Sequence, residues 1–479
     1  MRGASLVVLG LGLGLGLGGC KREPKQPDPS SLAELEAEWP PHSAACRSWN
    51  DLDISTLDPL PAGAHVEAFD QVWRTVGTKH YDPTLACLDW LGLRAHYGAK
   101  VAEAGDDATA AYAAINELLG LLDQSHLHAT APHQAGARTR ETGPASVPIA
   151  LRWLPLEHAV VVVDEAVDGY ASGIPRGAIV TSVAGESITQ VAEQIVEEVD
   201  GRGGRATERA FMIARAINAT LSCPSDGSKR IGFLDPQHDD EPSELEIPCF
   251  VPEGERLSLG NLRDLPTTVE WRMLSEVPQE KLGYLAFNFW MLPMAPRIQA
   301  GIDELREAGM TGLVIDLRGN PGGIGSMSIP IARMLVREGA NLGRMQMREF
   351  NQEFKVEPNP EAFTGPLAIL VDEGTASTSE IFAIGLRDTD RSRFGAGDRG
   401  VVIVGAGPSA GMALPSMIES LPDGGLIQYV VGDYHSAKGT AAEGEGVIPD
   451  IVVEQTRADF IAGRDPVLDA AVEHLRGPD

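Results

Sequence analysis

Between about Ala64 and Leu122 apolar residues recur three and four positions apart, in "HVEAFDQVWRTVGTKHY" and "DDATAAYAAINELLGLLDQ". This period predicts a small helical domain that closes at Ser125 and His126. From about Val147 to Phe250 the pattern changes to short apolar runs, such as "AVVVVDE" and "GAIVTSVAGESI", between glycine turns. It predicts a β-rich unit in which no long helix dominates. From Lys281 onward, "GYLAFNFW", a helical "PRIQAGIDELREAG" and "GLVIDL" predict a strand, helix, strand unit, and two further strand-to-helix junctions follow. This third block is α/β and the largest. No internal repeat interrupts the three blocks.

The length of 479 residues exceeds what one core sustains and predicts two to four domains. The charge of −29 disfavours nucleic acid and anionic lipid headgroups as partners. The start, "MRGASLVVLGLGLGLGLGGC", reads as a secretory signal, too short and glycine-rich for a stable span. "LGGC" resembles the lipobox of bacterial lipoproteins, which implies cleavage of residues 1–19 and lipid on the Cys20 thiol. Residues 20–58 begin with charged, proline-rich chain suited to a tether. Lys21, rather than Asp, after the cysteine resembles the sorting signal for the outer membrane, facing the periplasm. Four other cysteines, Cys46, Cys87, Cys223 and Cys249, are compatible with two disulfides in any of three connectivities. Proximity favours Cys46 with Cys87 and Cys223 with Cys249. No metal-ligand spacing appears, and no cofactor is expected.

Two turns carry candidate chemistry. "LVDEGTASTSEIFAIGLRD" reads as a strand end, a turn of small residues and a helix, with Ser377 and Glu380 in capping-box order. The same helix start favours a developing oxyanion. "IDLRGNPGGIG", Ile315 to Gly325, follows a strand and lets backbone N–H groups approach a ligand, but lacks the ending of a phosphate loop. Two adjacent strand-helix units of one sheet would point both turns at one cleft.

Together with "YLAFNFW", "LPDGGLIQYVVGDY" and "EGEGVIPDIVV", these motifs stand in the order of the C-terminal processing, or tail-specific, serine peptidases, which the chain resembles over roughly residues 64 to 476. The resemblance implies a ClpP/crotonase-like α/β core over residues 256–479. It also implies an N-terminal helical domain over 59–135 and a β-rich domain over 140–255. "SGIPRGAIVTSVAGESI" is similar to the core of the family's PDZ domain, although no glycine-rich carboxylate loop is recognisable.

In the family's A-S-x-S-E pattern the nucleophile is the first serine, here Ser377, with Ser379 two residues on. The better-known branch activates it with a lysine in an F-G-K-G segment. The corresponding "RFGAGDRGVVIVGAGPSAGM" has none, Met412 stands about where it should be, and the only lysine beyond Ser377 is Lys438. The tricorn-like branch has a histidine base at the end of its helical domain, and "LLDQSHLHAT" supplies Ser125 and His126 there, with His128 and His435 as competitors. In that branch a glutamate steadies the histidine through the serine. "EGEGVIPD" gives Glu443, with Glu445 as a solvated neighbour. The resemblance further implies an oxyanion hole of the Gly322 and Thr378 N–H groups. The expected function is a membrane-anchored serine endopeptidase acting on protein or peptide substrates, with a chain end captured by the PDZ-like domain. A histidine base predicts an acid limb of activity between about pH 6 and 7.5. The alternatives are an inactive peptide-binding lipoprotein of the same fold and a Ser-Lys peptidase using Lys438.

Overall fold

The structure, a computed structural model, describes residues 46–50, 57–137, 145–165, 171–252, 254–259, 262–274, 281–389 and 400–477. The leader, Cys20 and the tether up to residue 45 lie outside the described residues, as does the stretch 390–399.

Three helices build the first unit: α1 (Val66–Lys79), α2 (Trp90–Glu103) and α3 (Ala108–Gly120). Phe69, Val72, Trp73 and Val76 bury one face of α1 against Leu93 and Val101 of α2 and Ile115 and Leu118 of α3. The Asp89 and Asp107 carboxylates accept N–H groups at the starts of α2 and α3. After α3 the chain enters β1 (His128–Thr130), which pairs antiparallel with Leu426–Val430 of a hairpin some 300 residues away. The hairpin's Ile427, Tyr429 and Val430 belong to the helical core.

The middle unit is an antiparallel sheet of β2 (Ile149–Leu154), β3 (Ala159–Glu165), β4 (Ile179–Val183), β5 (Ser228–Asp235) and β6 (His238–Pro248), in that order. Two fourteen-residue helices, α4 (Ile188–Gly201) and α5 (Ala206–Ala219), intervene between β4 and β5. They are longer than the sequence pattern, read as a β-rich block in which no long helix dominates, suggests. Ile188, Ala192, Ile195 and Val199 recur on one buried face of α4, a helical period that the flanking apolar strands obscure.

The third unit is a six-stranded sheet of β7 (Val269–Met273), β8 (Leu282–Phe287), β9 (Gly312–Asp316), β10 (Leu367–Val371), β11 (Val401–Gly405) and β12 (Ile451–Val452), parallel from β8 onward. Buried on both faces, its strands read as unbroken apolar runs. Leu285, Ile315 and Ile369 face α6 (Met294–Glu307) and α7 (Thr378–Asp388). Tyr284, Val314 and Leu370 face α8 (Pro466–Arg476). The strand-helix-strand unit and the junction before α7 stand where the sequence predicts. The turns after β9 and β10 therefore leave the same sheet edge side by side. Both disulfides favoured by proximity form, Cys46–Cys87 and Cys223–Cys249.

Candidate active site

Ser377 precedes α7 with φ 57° and ψ −119°, a conformation that non-glycine residues rarely adopt. Its N–H is held by two acceptors, Met412 O and Glu380 Oε2, each at 2.9 Å. The spacing read as a capping box thus serves a larger purpose. Glu380 is fully buried, and its other contacts are Met412 N (3.0 Å), Gly411 N (2.8 Å) and Ser409 Oγ (2.5 Å). Burial pushes its carboxyl up to about 7, against these bonds, which favour the anion. Ser379 is also fully buried and accepts from Trp290 Nε1 at 2.8 Å while donating to Asn320 O at 3.1 Å. Its hydroxyl is committed to packing. Ser377, by contrast, is only half-buried.

The glycine turn after β9 lies against the serine. A Cβ on Gly322, whose φ is +96°, would fall 2.6 Å from Ser377 Cβ and 2.9 Å from Thr378 N, so only glycine fits. The Gly322 N–H itself is bound to Asn320 Oδ1 at 3.0 Å and must leave it to reach a substrate oxygen. Thr378 N–H, first in α7, has no protein acceptor among the described residues. Asp372 Oδ1 staples the two turns by accepting Gly319 N (2.8 Å) and Gly374 N (2.9 Å). Arg152 of β2 forks onto Glu373 with two bonds of 2.9 Å, joining the middle unit to the serine turn.

Ser125, His126 and Glu443 come together from the first and third units. Glu443 accepts Ser125 N (2.8 Å), Ser125 Oγ (2.9 Å) and Ala413 N (2.9 Å). Ser125 Oγ lies 2.8 Å from His126 Nδ1. Because the single hydroxyl proton goes to Glu443, Ser125 Oγ accepts from Nδ1–H. The lone pair of the imidazole is then on Nε2, the tautomer a general base needs. His126 keeps an edge in contact with solvent, yet its ring lies under enough protein that burial pushes the pKa down to about 4, helped by the positive charge of Arg215 on α5. Burial raises Glu443 against its three hydrogen bonds and the charge of Arg205. The histidine and serine halves meet through residues 412 and 413: Met412 O accepts from Ser377 N, and Ala413 N donates to Glu443. No hydrogen bond joins Ser377 Oγ to His126 among the described residues, so this last link is left to the loaded site.

The competitors have other surroundings. His128 lies in β1 opposite Gln428, His435 Nε2 pairs with Asp433 Oδ2 at 2.9 Å, and Lys438 and Glu445 are exposed. Met412 touches the serine turn through its backbone, with no amine. Phe211 of α5 packs on Ala376 and Ala410 beside Ser377. A cavity of about 780 Å³ opens between α5, β2 and the glycine turn, lined by Arg152, Phe211, Arg215, Phe287 and Arg318 among others. Sequence reading missed Glu380 as the hub of the serine turn, for which S-x-x-E was the only signal. It missed Arg215 altogether, because nothing in "MIARAIN" ties it to a residue ninety positions earlier.

A parallel sheet whose adjacent turns set a serine against a glycine turn, beside a histidine network from the first unit, is the arrangement of a serine peptidase. Residues 281–453 match the model of Peptidase family S41. The chain is 26% identical over 415 residues to a carboxyl-terminal-processing protease of Synechocystis sp., covering 85% of this chain and 86% of that protein. It is 24% identical over 392 residues to a chloroplastic C-terminal processing peptidase of Tetradesmus obliquus, covering 81% and 76%. In fold it is similar to a photosystem II D1 C-terminal processing protease (TM-score 0.52, 22% identity, 82% of this chain and 94% of that one). It is likewise similar to mature CPAF complexed with lactacystin (TM-score 0.56, 14% identity, 87% and 100%). The chain is thus a serine peptidase that carries a Peptidase family S41 match over residues 281–453 and is similar to carboxyl-terminal processing proteases along most of its length.

Proposed function

We propose that the protein is a lipid-anchored endopeptidase of the cell envelope that acts through a Ser377, His126 and Glu443 machinery of the tricorn-like type. Ser377 Oγ attacks the peptide carbonyl carbon and gives its proton to His126 Nε2. The C–N bond then breaks as the imidazolium returns that proton to the leaving amine, and water hydrolyses the acyl-enzyme by the same path. Ser125 and Glu443 hold the tautomer, while Thr378 N–H, joined by Gly322 N–H once released from Asn320, stabilises the oxyanion. The middle unit acts as the PDZ-like domain that captures a substrate chain end. Cys20 carries the lipid, and no helix among the described residues is long and apolar enough to cross a membrane by itself.

The observation that supports this reading is the relay from Glu443 through Ser125 Oγ to His126 Nδ1, at 2.9 and 2.8 Å. Its test is fluorophosphonate labelling and peptide-library digestion of the wild type beside Ser377→Ala, His126→Ala and Lys438→Ala. Labelling and cleavage lost in the first two and kept in the third are expected. An active His126→Ala with a dead Lys438→Ala would establish the Ser-Lys alternative, and a wild type that neither labels nor cleaves would establish the inactive binder. Palmitate labelling lost in Cys20→Ala tests the anchor.

A further inference from the structure

The base turn contains two strained non-glycine residues, Asp123 at φ 46° and His126 at φ 57°. Each left-handed residue costs about 1 kcal/mol or more, so the turn persists only if its surroundings hold it. Ser125 is held by Glu443. Asp123 is held by Arg205 Nη2 at 2.8 Å, but both side chains are well exposed and the pair is weak. That leaves Gln124, directly before the Ser-His pair. Its Oε1 lies 2.6 Å from His80 Nε2, and its Nε2 donates to Tyr81 OH at 3.3 Å.

His80 is built as an anchor. It is buried at the end of α1, and its Nδ1 accepts the Asp82 N–H at 3.1 Å. Nδ1 also lies 3.2 Å from Asp82 O, but the Gln124 Oε1 that faces Nε2 can only accept, so Nε2 carries the proton and donates to Gln124. Burial lowers the imidazole pKa and keeps the ring in this neutral form. The backbone beneath is fixed too: Arg348 donates to the carbonyls of His80 (2.9 Å) and Gly77 (3.1 Å). Asp82 ties the following turn down by accepting Thr84 N and Ala86 N at 2.8 and 2.9 Å. A rigid donor thus grips the residue directly before the Ser-His pair, while Glu443 holds Ser125.

We propose that His80, acting through the carboxamide of Gln124, is a positioning residue that holds the Ser125–His126 turn in register for proton transfer. The inference rests on the His126 base proposed above. The test uses the full chain and a fluorogenic peptide from the library digestion, with melting temperatures recorded for every variant. Gln124→Ala and His80→Leu are each expected to lower kcat about ten- to hundredfold with KM within about twofold. His80→Gln, which keeps a donor toward Gln124, is expected to return kcat to within about threefold of wild type, and the double variant to lose no more than the worse single one. A merely structural His80 would instead add its loss to that of Gln124→Ala and would gain nothing from His80→Gln. Should His80→Leu fail to fold, Gln124→Ala decides: kcat within about twofold of wild type overturns the proposal. The two readings fail separately, because an active His126→Ala removes the base itself, whereas a dead His126→Ala beside an unaffected Gln124→Ala removes only the role of His80.

Discussion

The two halves of the site are built in opposite ways. The serine half is local: Ser377, Thr378 and Glu380 lie on one helix start, and their partners at Gly322 and Met412 come from neighbouring segments of the same unit. The histidine half is a junction, where Gln124 and Ser125 of the first unit are held by His80 and by Glu443 of the third, while the positive charge of Arg215 of the second disfavours protonation of His126. A strained backbone appears in both, but one is clamped by a single buried carboxylate and the other by side chains from separate units. In the proposed mechanism the nucleophile is thus a property of one sheet, and the base a property of the assembled chain.

The comparison is broken first by the variants of largest effect. Ser377→Ala and His126→Ala should each lower turnover by about 10⁴ to 10⁶, while Ser379→Ala retains probe labelling. A labelled Ser377→Ala would place the nucleophile two residues away. Next, Glu380→Ala should lower stability by about 3 kcal/mol in urea unfolding, since Ser409 Oγ, Gly411 N and Met412 N lose their acceptor and Ser377 N–H loses one of its two. Ser125→Ala cuts the relay without touching the serine half, and about a hundredfold loss of kcat is expected with an unchanged melting temperature. A loss of stability without a loss of kcat would show that Ser125 only joins the units.

A finer test is the pH profile. A base works when neutral, so activity rises with pH through its pKa, which burial and Arg215 hold at about 4. The acid limb should therefore lie well below the pH 6 to 7.5 that an ordinary histidine suggests. Arg215→Gln removes a positive charge that favours the neutral ring, so the limb should move to higher pH by less than about one unit. A wild-type limb at or above about 6.5 would mean that the ring is solvated during turnover. The smallest effects belong to Lys438→Ala, His128→Ala and His435→Ala, each expected to lose less than about tenfold.

The contrast between the halves also explains what the sequence disclosed. Strands buried on both faces, such as "LAILV" and "VVIVG", are legible because burial demands an unbroken apolar run. The serine and glycine turns are legible because strained backbone and close approach restrict the residues allowed at Gly322 and around Ser377. His126 and Glu443 came into view only through resemblance, since neither "QSH" nor "EGEG" has a local physical signature. His80 and Gln124 carried no signal at all: a histidine at a helix end and a glutamine in a turn are ordinary until the fold sets them 2.6 Å apart. The helices α4 and α5 had a readable period but lay in a block dominated by strand-like runs.

The span between Ser125 and its carboxylate partner has a consequence in time. The two are 318 residues apart. A ribosome adding about 5 to 20 residues per second makes Glu443 roughly 16 to 64 s after Ser125. Throughout that interval the emerging chain lacks the carboxylate that accepts from Ser125, and β1 lacks the hairpin strand it pairs with. On the proposed mechanism, the active site is therefore incomplete until nearly the whole chain has been made.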